Sequence, residues 1–179
     1  MWPRLVLLDR DGVINVDSDH YILGPDEWHA IPGSIAAIAR LNAAGRTVAV
    51  CTNQSAVGRG MLSEQTLAAI HDRMHREVAA AGGALSHVLY CPHAPEAHCD
   101  CRKPAPGLIQ AALRLTGIGA DQTLFIGDSA RDLEAARRAG VAAWLVATGN
   151  GSTTARTRQA PPPMYSDLAH AVNALLEEP

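Results

Sequence analysis

Five continuous apolar runs limit the fold most: LVLLD (5–9), TVAVCT (47–52), LSHVLYC (85–91), TLFIGD (123–128) and AAWLVA (142–147). They show little of the polar alternation of a strand with one wet face, so each is predicted to be buried on both sides. Between them lie stretches with apolar residues at helical spacing. These are Ser34–Ala44, closed by Gly45; Ser63–Ala81, opening on Ser63 and Glu64; Pro106–Leu115; and Ala130–Ala139, closed by Gly140. Ser166–Leu176 is predicted as a last helix, and Gly149–Pro163, rich in Gly, Ser, Thr and Pro, as loop. Alternating strands and helices predict an α/β fold: a Rossmann-like parallel sheet with helices on both faces. At 179 residues, the span 1–179 is expected to form a single domain.

Composition narrows the partners. With 15 Lys and Arg against 18 Asp and Glu, the net charge of −3 gives no electrostatic reason for nucleic acid or an anionic membrane. No apolar run approaches the roughly 20 residues of a membrane span. Asp9 also interrupts the first run too early for a signal peptide. The expected setting is the cytoplasm, the expected state a monomer, and the expected partner a small molecule.

In parallel sheets ligands bind beyond the carboxyl ends of the strands. The residues there are Asp9 and Asp11, Thr52 and Asn53, Cys91 and His93, and Asp128. Alone, Asp9 and Asp11 read as solvated turn acids before Gly12. Asp128, following its own apolar strand in FIGDS, changes that reading. Three carboxylates in one crevice make a hard-oxygen site suited to Mg²⁺, and the cation offsets their repulsion. Lys103, in CRKPAPG, precedes a helix whose N-terminus favours anions. Singly, Lys103 is a surface charge and Thr52 a strand-end cap; together with the acids they describe a phosphoryl site.

The segment YCPHAPEAHCDCRKP spaces Cys91, His93, Cys99 and Cys101 as C-x-H-x5-C-x-C. Three thiolates and an imidazole suit a closed tetrahedral Zn²⁺ site, structural in role, that pins the loop delivering Arg102 and Lys103. His98 is the alternative imidazole. A disulfide would leave His93 and one cysteine unexplained, and reducing conditions disfavour it. Cys51, inside a strand, reads as a small core residue.

DRDG at 9–12, TN at 52–53, RKP at 102–104 and GDS at 127–129, in that order, resemble the haloacid dehalogenase superfamily of phosphohydrolases across nearly the whole chain. The resemblance implies Asp9 as nucleophile, and Asp11 as general acid and then general base. It implies Thr52 and Lys103 on the phosphoryl oxygens, and Mg²⁺ held by the Asp9 and Asp128 carboxylates and the Asp11 backbone oxygen. Asp132 reads either as support for the metal or as a solvated helix residue. The cysteine loop resembles the zinc-containing branch, which includes heptose bisphosphate and histidinol-phosphate phosphatases.

DRDGVIN with Asp17 and Tyr21, and TNQSAVGRG at 52–60, are closer to the heptose form; the five-residue gap between His93 and Cys99 matches the histidinol-phosphate form. The implied activity is removal of the 7-phosphate from a heptose 1,7-bisphosphate, a phosphorylated sugar of lipopolysaccharide core synthesis, with histidinol phosphate as the alternative substrate. Asp17, Asn53, Gln54, Ser55 and Arg102 would contact substrate, Arg102 by a bidentate grip on its distal part. Arg59 reads as a substrate contact or an exposed loop residue. His20, His29, His71, His75, His87 and His170 read as surface or packing residues. Neither gap between Asp9, Thr52 and Lys103 is long enough for a capping domain. A zinc-loop module without catalysis is disfavoured by the acidic balance, whereas a phosphotransferase would share every motif.

Overall fold

The structure is a computed structural model that describes residues 2–160 and 162–177. Six strands form one sheet: β1 (Leu5–Leu8), β2 (Thr47–Asn53), β3 (His87–Cys91), β4 (Thr123–Gly127), β5 (Ala142–Val146) and β6 (Met164–Tyr165). All pairings are parallel, in the order β3-β2-β1-β4-β5-β6. Leu5 of β1 pairs with Thr47 on one side and Thr123 on the other, so β1 is central. The strand order reverses between β1 and β4, and the crevice beyond their carboxyl ends is where this topology places a ligand.

The helices are α1 (Ser34–Ala43), α2 (Ser55–Gly58), α3 (Glu64–Ala80), α4 (Gly107–Thr116), α5 (Ala130–Ala139), α6 (Gly151–Arg156) and α7 (Leu168–Glu177). Strand side chains alternate between the two faces. Val6, Leu8, Val50 and Ile126 pack with residues of α1, α3 and α7. Leu5, Leu7, Cys51 and Phe125 face the opposite way, onto α4 and α5. Both faces are therefore dry, which explains the unbroken apolar runs. Ser63 starts α3 by accepting the Thr66 amide at 3.0 Å. Ser129 and Asp132 cap α5 reciprocally, and Gly140 ends it in the left-handed region at φ 72°.

The predicted loop over Gly149–Pro163 is corrected at its start, where α6 occupies Gly151–Arg156, and β6 follows it at Met164. The sequence GSTTAR has poor intrinsic helix propensity. Its turn is held from outside, by the Thr154 hydroxyl donating to the Asp128 carbonyl at 3.0 Å. No helix among the described residues is long and apolar enough to cross a membrane. No capping domain occurs among them either.

Candidate active site

Asp9 leaves the end of β1 and Asp128 the end of β4, on either side of the crevice. A cavity of about 340 Å³ opens there, lined by Asp9, Asp11, Thr52, Lys103 and Asp128, with Arg102 on its wall. Asp17, Asn53, Gln54 and Ser55 also line it, so every candidate phosphoryl and substrate residue meets in one space. Arg59 and Arg131 border it as well.

Lys103 reaches the centre because its backbone is clipped to β2. The Asn53 amide donates to the Lys103 carbonyl at 3.0 Å and accepts from the Lys103 N–H at 3.0 Å. Its ammonium, only 2% exposed, lies 2.9 Å from Asp9 Oδ1 and 2.6 Å from Asp132 Oδ1, with the Phe125 ring beneath it. Burial favours the neutral amine, but Asp132 and Asp9 more than offset it and raise the Lys103 pKa. Two of the three ammonium protons face these carboxylates, which leaves one for a phosphoryl oxygen.

Asp132 is the residue sequence reasoning left undecided. It is fully buried, and its Oδ2 accepts from the Ser129 hydroxyl at 2.8 Å and the Ser129 and Asp128 amides at 3.0 and 3.2 Å. Although burial works against its charge, Lys103 and those donors hold Asp132 below the usual carboxylate range. Gly127 permits this approach, since a Cβ there would collide with the Asp132 side chain. The signal was present in the sequence: S-x-x-D after an apolar strand is a capping box.

Asp128 sits in a cradle made by two glycines. Gly12 (φ 82°) and Gly149 (φ 56°) adopt left-handed backbone, and a Cβ on either would collide with Asp128 Oδ2. Asn150 donates to that oxygen from its backbone at 2.7 Å and its side chain at 3.2 Å. Its side chain also reaches Asp17 at 3.3 Å. Sequence reasoning passed over Asn150, because nothing in GNGSTT marks its fold-back onto β4. Burial and then Asp132 push Asp128 up to about 7, against the Asn150 bonds. Burial and Asp132 likewise raise Asp9, with Lys103 opposing.

Asp11 turns a different way. Burial would raise its pKa, but the Arg10 guanidinium and donation from Asn15 at 2.9 Å and Gln54 at 2.8 Å hold it below its usual value. Gln54 also donates to the Thr52 hydroxyl at 2.9 Å, tying the acid to the residue expected on the phosphoryl oxygens.

The metal donors can be tested on chemistry. Carboxylate oxygens of Asp9, Asp128 and Asp132 lie within 4.8 Å of one another; the Asp11 carboxylate is outside this group. Asp132 commits both oxygens to Lys103 and its cap. Asp9 and Asp128, the acids that burial raises, are the pair that could hold a hard cation, and their oxygens are of the kind Mg²⁺ takes. In the cysteine loop, Cys91, Cys99, Cys101 and His93 Nδ1 make five mutual contacts of 3.2–3.5 Å. Those spacings approach the ~3.7 Å edge of a tetrahedron with ~2.3 Å metal–sulfur bonds. The four cysteines of the chain are unbridged.

The fold and the carboxylate–lysine centre define a phosphoryl-transfer enzyme of the Rossmann-like class. The HAD-hydrolase-like family model matches residues 100–171. D-glycero-β-D-manno-heptose-1,7-bisphosphate 7-phosphatase of Bordetella bronchiseptica is 47% identical over 98% of this chain and 99% of its own. The Pseudomonas aeruginosa enzyme of the same name is 48% identical, over 99% of this chain and 100% of its own. The crystal structure of the B. bronchiseptica D,D-heptose 1,7-bisphosphate phosphatase, complexed with magnesium and phosphate, superposes with a TM-score of 0.95 at 47% identity, covering 98% and 99% of the two chains. The chain belongs to the haloacid-dehalogenase-like hydrolases and, within them, to the D-glycero-β-D-manno-heptose-1,7-bisphosphate 7-phosphatase family. It is a phosphatase.

Proposed function

We propose that this phosphatase is Mg²⁺-dependent and removes the 7-phosphate of D-glycero-β-D-manno-heptose 1,7-bisphosphate through an aspartyl-phosphate on Asp9. The observation that carries this reading is the meeting of Asp9, Lys103 and Asp128 in one cavity; the names of the close relatives support the substrate. An Asp9 oxygen bonds to phosphorus as the ester P–O bond breaks, and Asp11 gives its proton to the leaving oxygen. Water then attacks the same phosphorus, Asp11 takes its proton, and the acyl P–O bond breaks to release phosphate. Lys103 and Thr52 hold the phosphoryl oxygens throughout. Arg10 holds Asp11 below its usual pKa before substrate arrives; the phosphate anion raises it by like-charge repulsion, and Asp11 takes up a proton from solvent, which it then gives to the leaving oxygen.

Asp9, Asp128 and the Asp11 backbone oxygen would hold Mg²⁺. When bound, the ion offsets the anionic charge that otherwise keeps a carboxylate from a phosphate. Cys91, His93, Cys99 and Cys101 would hold a structural Zn²⁺ that fixes the path to Arg102 and Lys103. Arg102, on the cavity wall, grips the distal part of the sugar. The setting is a cytoplasmic monomer in ADP-heptose and lipopolysaccharide core synthesis. Turnover of the heptose bisphosphate and of histidinol phosphate by the purified protein tests the substrate. The heptose should be favoured by at least about a hundredfold in kcat/KM, ~2.7 kcal/mol. The reverse preference would overturn the assignment.

A further inference from the structure

Between the two acids that carry the proposed chemistry lies Arg10, whose side chain is almost wholly buried at 1% exposure. A buried guanidinium is costly unless each donor finds an acceptor. Nε and Nη2 reach Asp11 Oδ1 at 3.0 and 2.8 Å, and Nη2 also reaches Oδ2 at 3.1 Å. Nη1 meets Nε2 of His71 at 3.3 Å. Arginine has only donors, so Nε2 must be the lone-pair nitrogen and the imidazole carries its proton on Nδ1.

His71 is 7% exposed on α3, 61 residues from Arg10, with its ring 5.8 Å from that of Tyr90 on β3. It does not line the catalytic cavity. Its contact at hydrogen-bond distance toward the site is the one to Arg10.

We infer that Arg10 and His71 are positioning residues for Asp11: His71 fixes the guanidinium, and the guanidinium fixes the plane of the carboxyl that serves the leaving oxygen. An adjacent residue cannot orient Asp11 unless something beyond it holds the far end of its side chain, and α3 supplies that hold. A planar fork sets both carboxyl oxygens at once, which a lysine cannot do. Burial and the Arg10 charge push the His71 imidazole down to about 3, so it remains an acceptor at neutral pH.

The inference rests on Asp11 acting as acid and base. That role makes Asp11 matter most for leaving groups that need a proton, and little for p-nitrophenolate, which departs without one. As base, Asp11 serves the second step with either substrate, so the first step alone, read by kcat/KM on the heptose bisphosphate and on p-nitrophenyl phosphate, separates positioning from general damage. His71→Leu should lower kcat/KM on the sugar phosphate by about tenfold while kcat/KM on p-nitrophenyl phosphate changes less than about twofold. His71→Gln keeps an acceptor toward Arg10 and should restore most of the loss.

If His71→Leu does not fold, Arg10→Lys carries the same test, because it keeps the charge and loses the fork. Equal losses on both substrates, or no loss on either, would overturn the inference. Asp11→Asn is the control. If it loses sugar-phosphate turnover selectively and the Arg10 and His71 variants do not, the positioning role fails alone. If Asp11→Asn itself shows no selectivity, the acid–base reading of Asp11 fails.

Discussion

Lys103 stands between two buried carboxylates, and its removal exposes what each residue there contributes. Lys103→Met leaves Asp9 and Asp132 facing each other without a cation. Breaking such a buried pair costs about 3–5 kcal/mol. Urea unfolding should show a loss of that size, partly recovered by Mg²⁺, together with at least a ~100-fold fall in kcat from the lost phosphoryl contact.

The raised acids also predict how stability follows pH. Asp128 is pushed up from its usual 3.8 to about 7 in the folded chain, and Asp9 is raised too. At Asp128 and Asp9 the folded state therefore holds more protons than the unfolded between about pH 4 and 7. These two acids lower metal-free stability as pH rises through that window, while His71, pushed down to about 3, works the opposite way up to about 6.5. The lowered acids, Asp11 and Asp132, act only below it. A divalent cation removes the penalty, so Mg²⁺ should raise the melting temperature more at pH 8 than at pH 5.5. An equal rise at both would contradict the placement of the cation between Asp9 and Asp128.

At the scale of elements, the site depends on two loops that close over Asp128. Gly149→Ala puts a Cβ where Asp128 Oδ2 lies, on a left-handed backbone, and should cost about 1–3 kcal/mol. Mg²⁺ affinity, read by titration calorimetry, should weaken with it. Gly60→Ala, also left-handed but with open space around it, should pay only the backbone cost and keep its Mg²⁺ affinity. The cysteine loop offers a separate test. A chelator that strips the proposed zinc should loosen residues 91–103 and raise KM, since Lys103 and Arg102 hang from that loop, while Mg²⁺ still binds. Full activity in a folded, zinc-free Cys99→Ser variant would contradict the loop's role.

Across the whole molecule, what could be read from the sequence follows from where each signal lies. The sheet was legible because both of its faces are dry, and unbroken runs such as LVLL and TLFIG announce that directly. Asp9, Thr52 and Asp128 were legible because parallel topology gathers strand ends, and Lys103 because CRKPAPG sets it just before a helix N-terminus. Helix α6 was not, since Thr154 and Asn150 hold it against β4 through tertiary bonds that local propensity does not encode. Nor was the contact of Arg10 with His71, which reads in sequence only as a surface or packing residue: the two lie 61 residues apart, and α3 brings them together.

The proposal that governs the whole molecule is the covalent step at Asp9. Rapid quenching during turnover, borohydride reduction and peptide mass spectrometry test it directly, because reduction converts an aspartyl-phosphate to homoserine. Homoserine at residue 9 in the active enzyme, and none in Asp9→Asn, is the predicted result. Turnover with no modification at residue 9, or with the adduct on another residue, would contradict the mechanism.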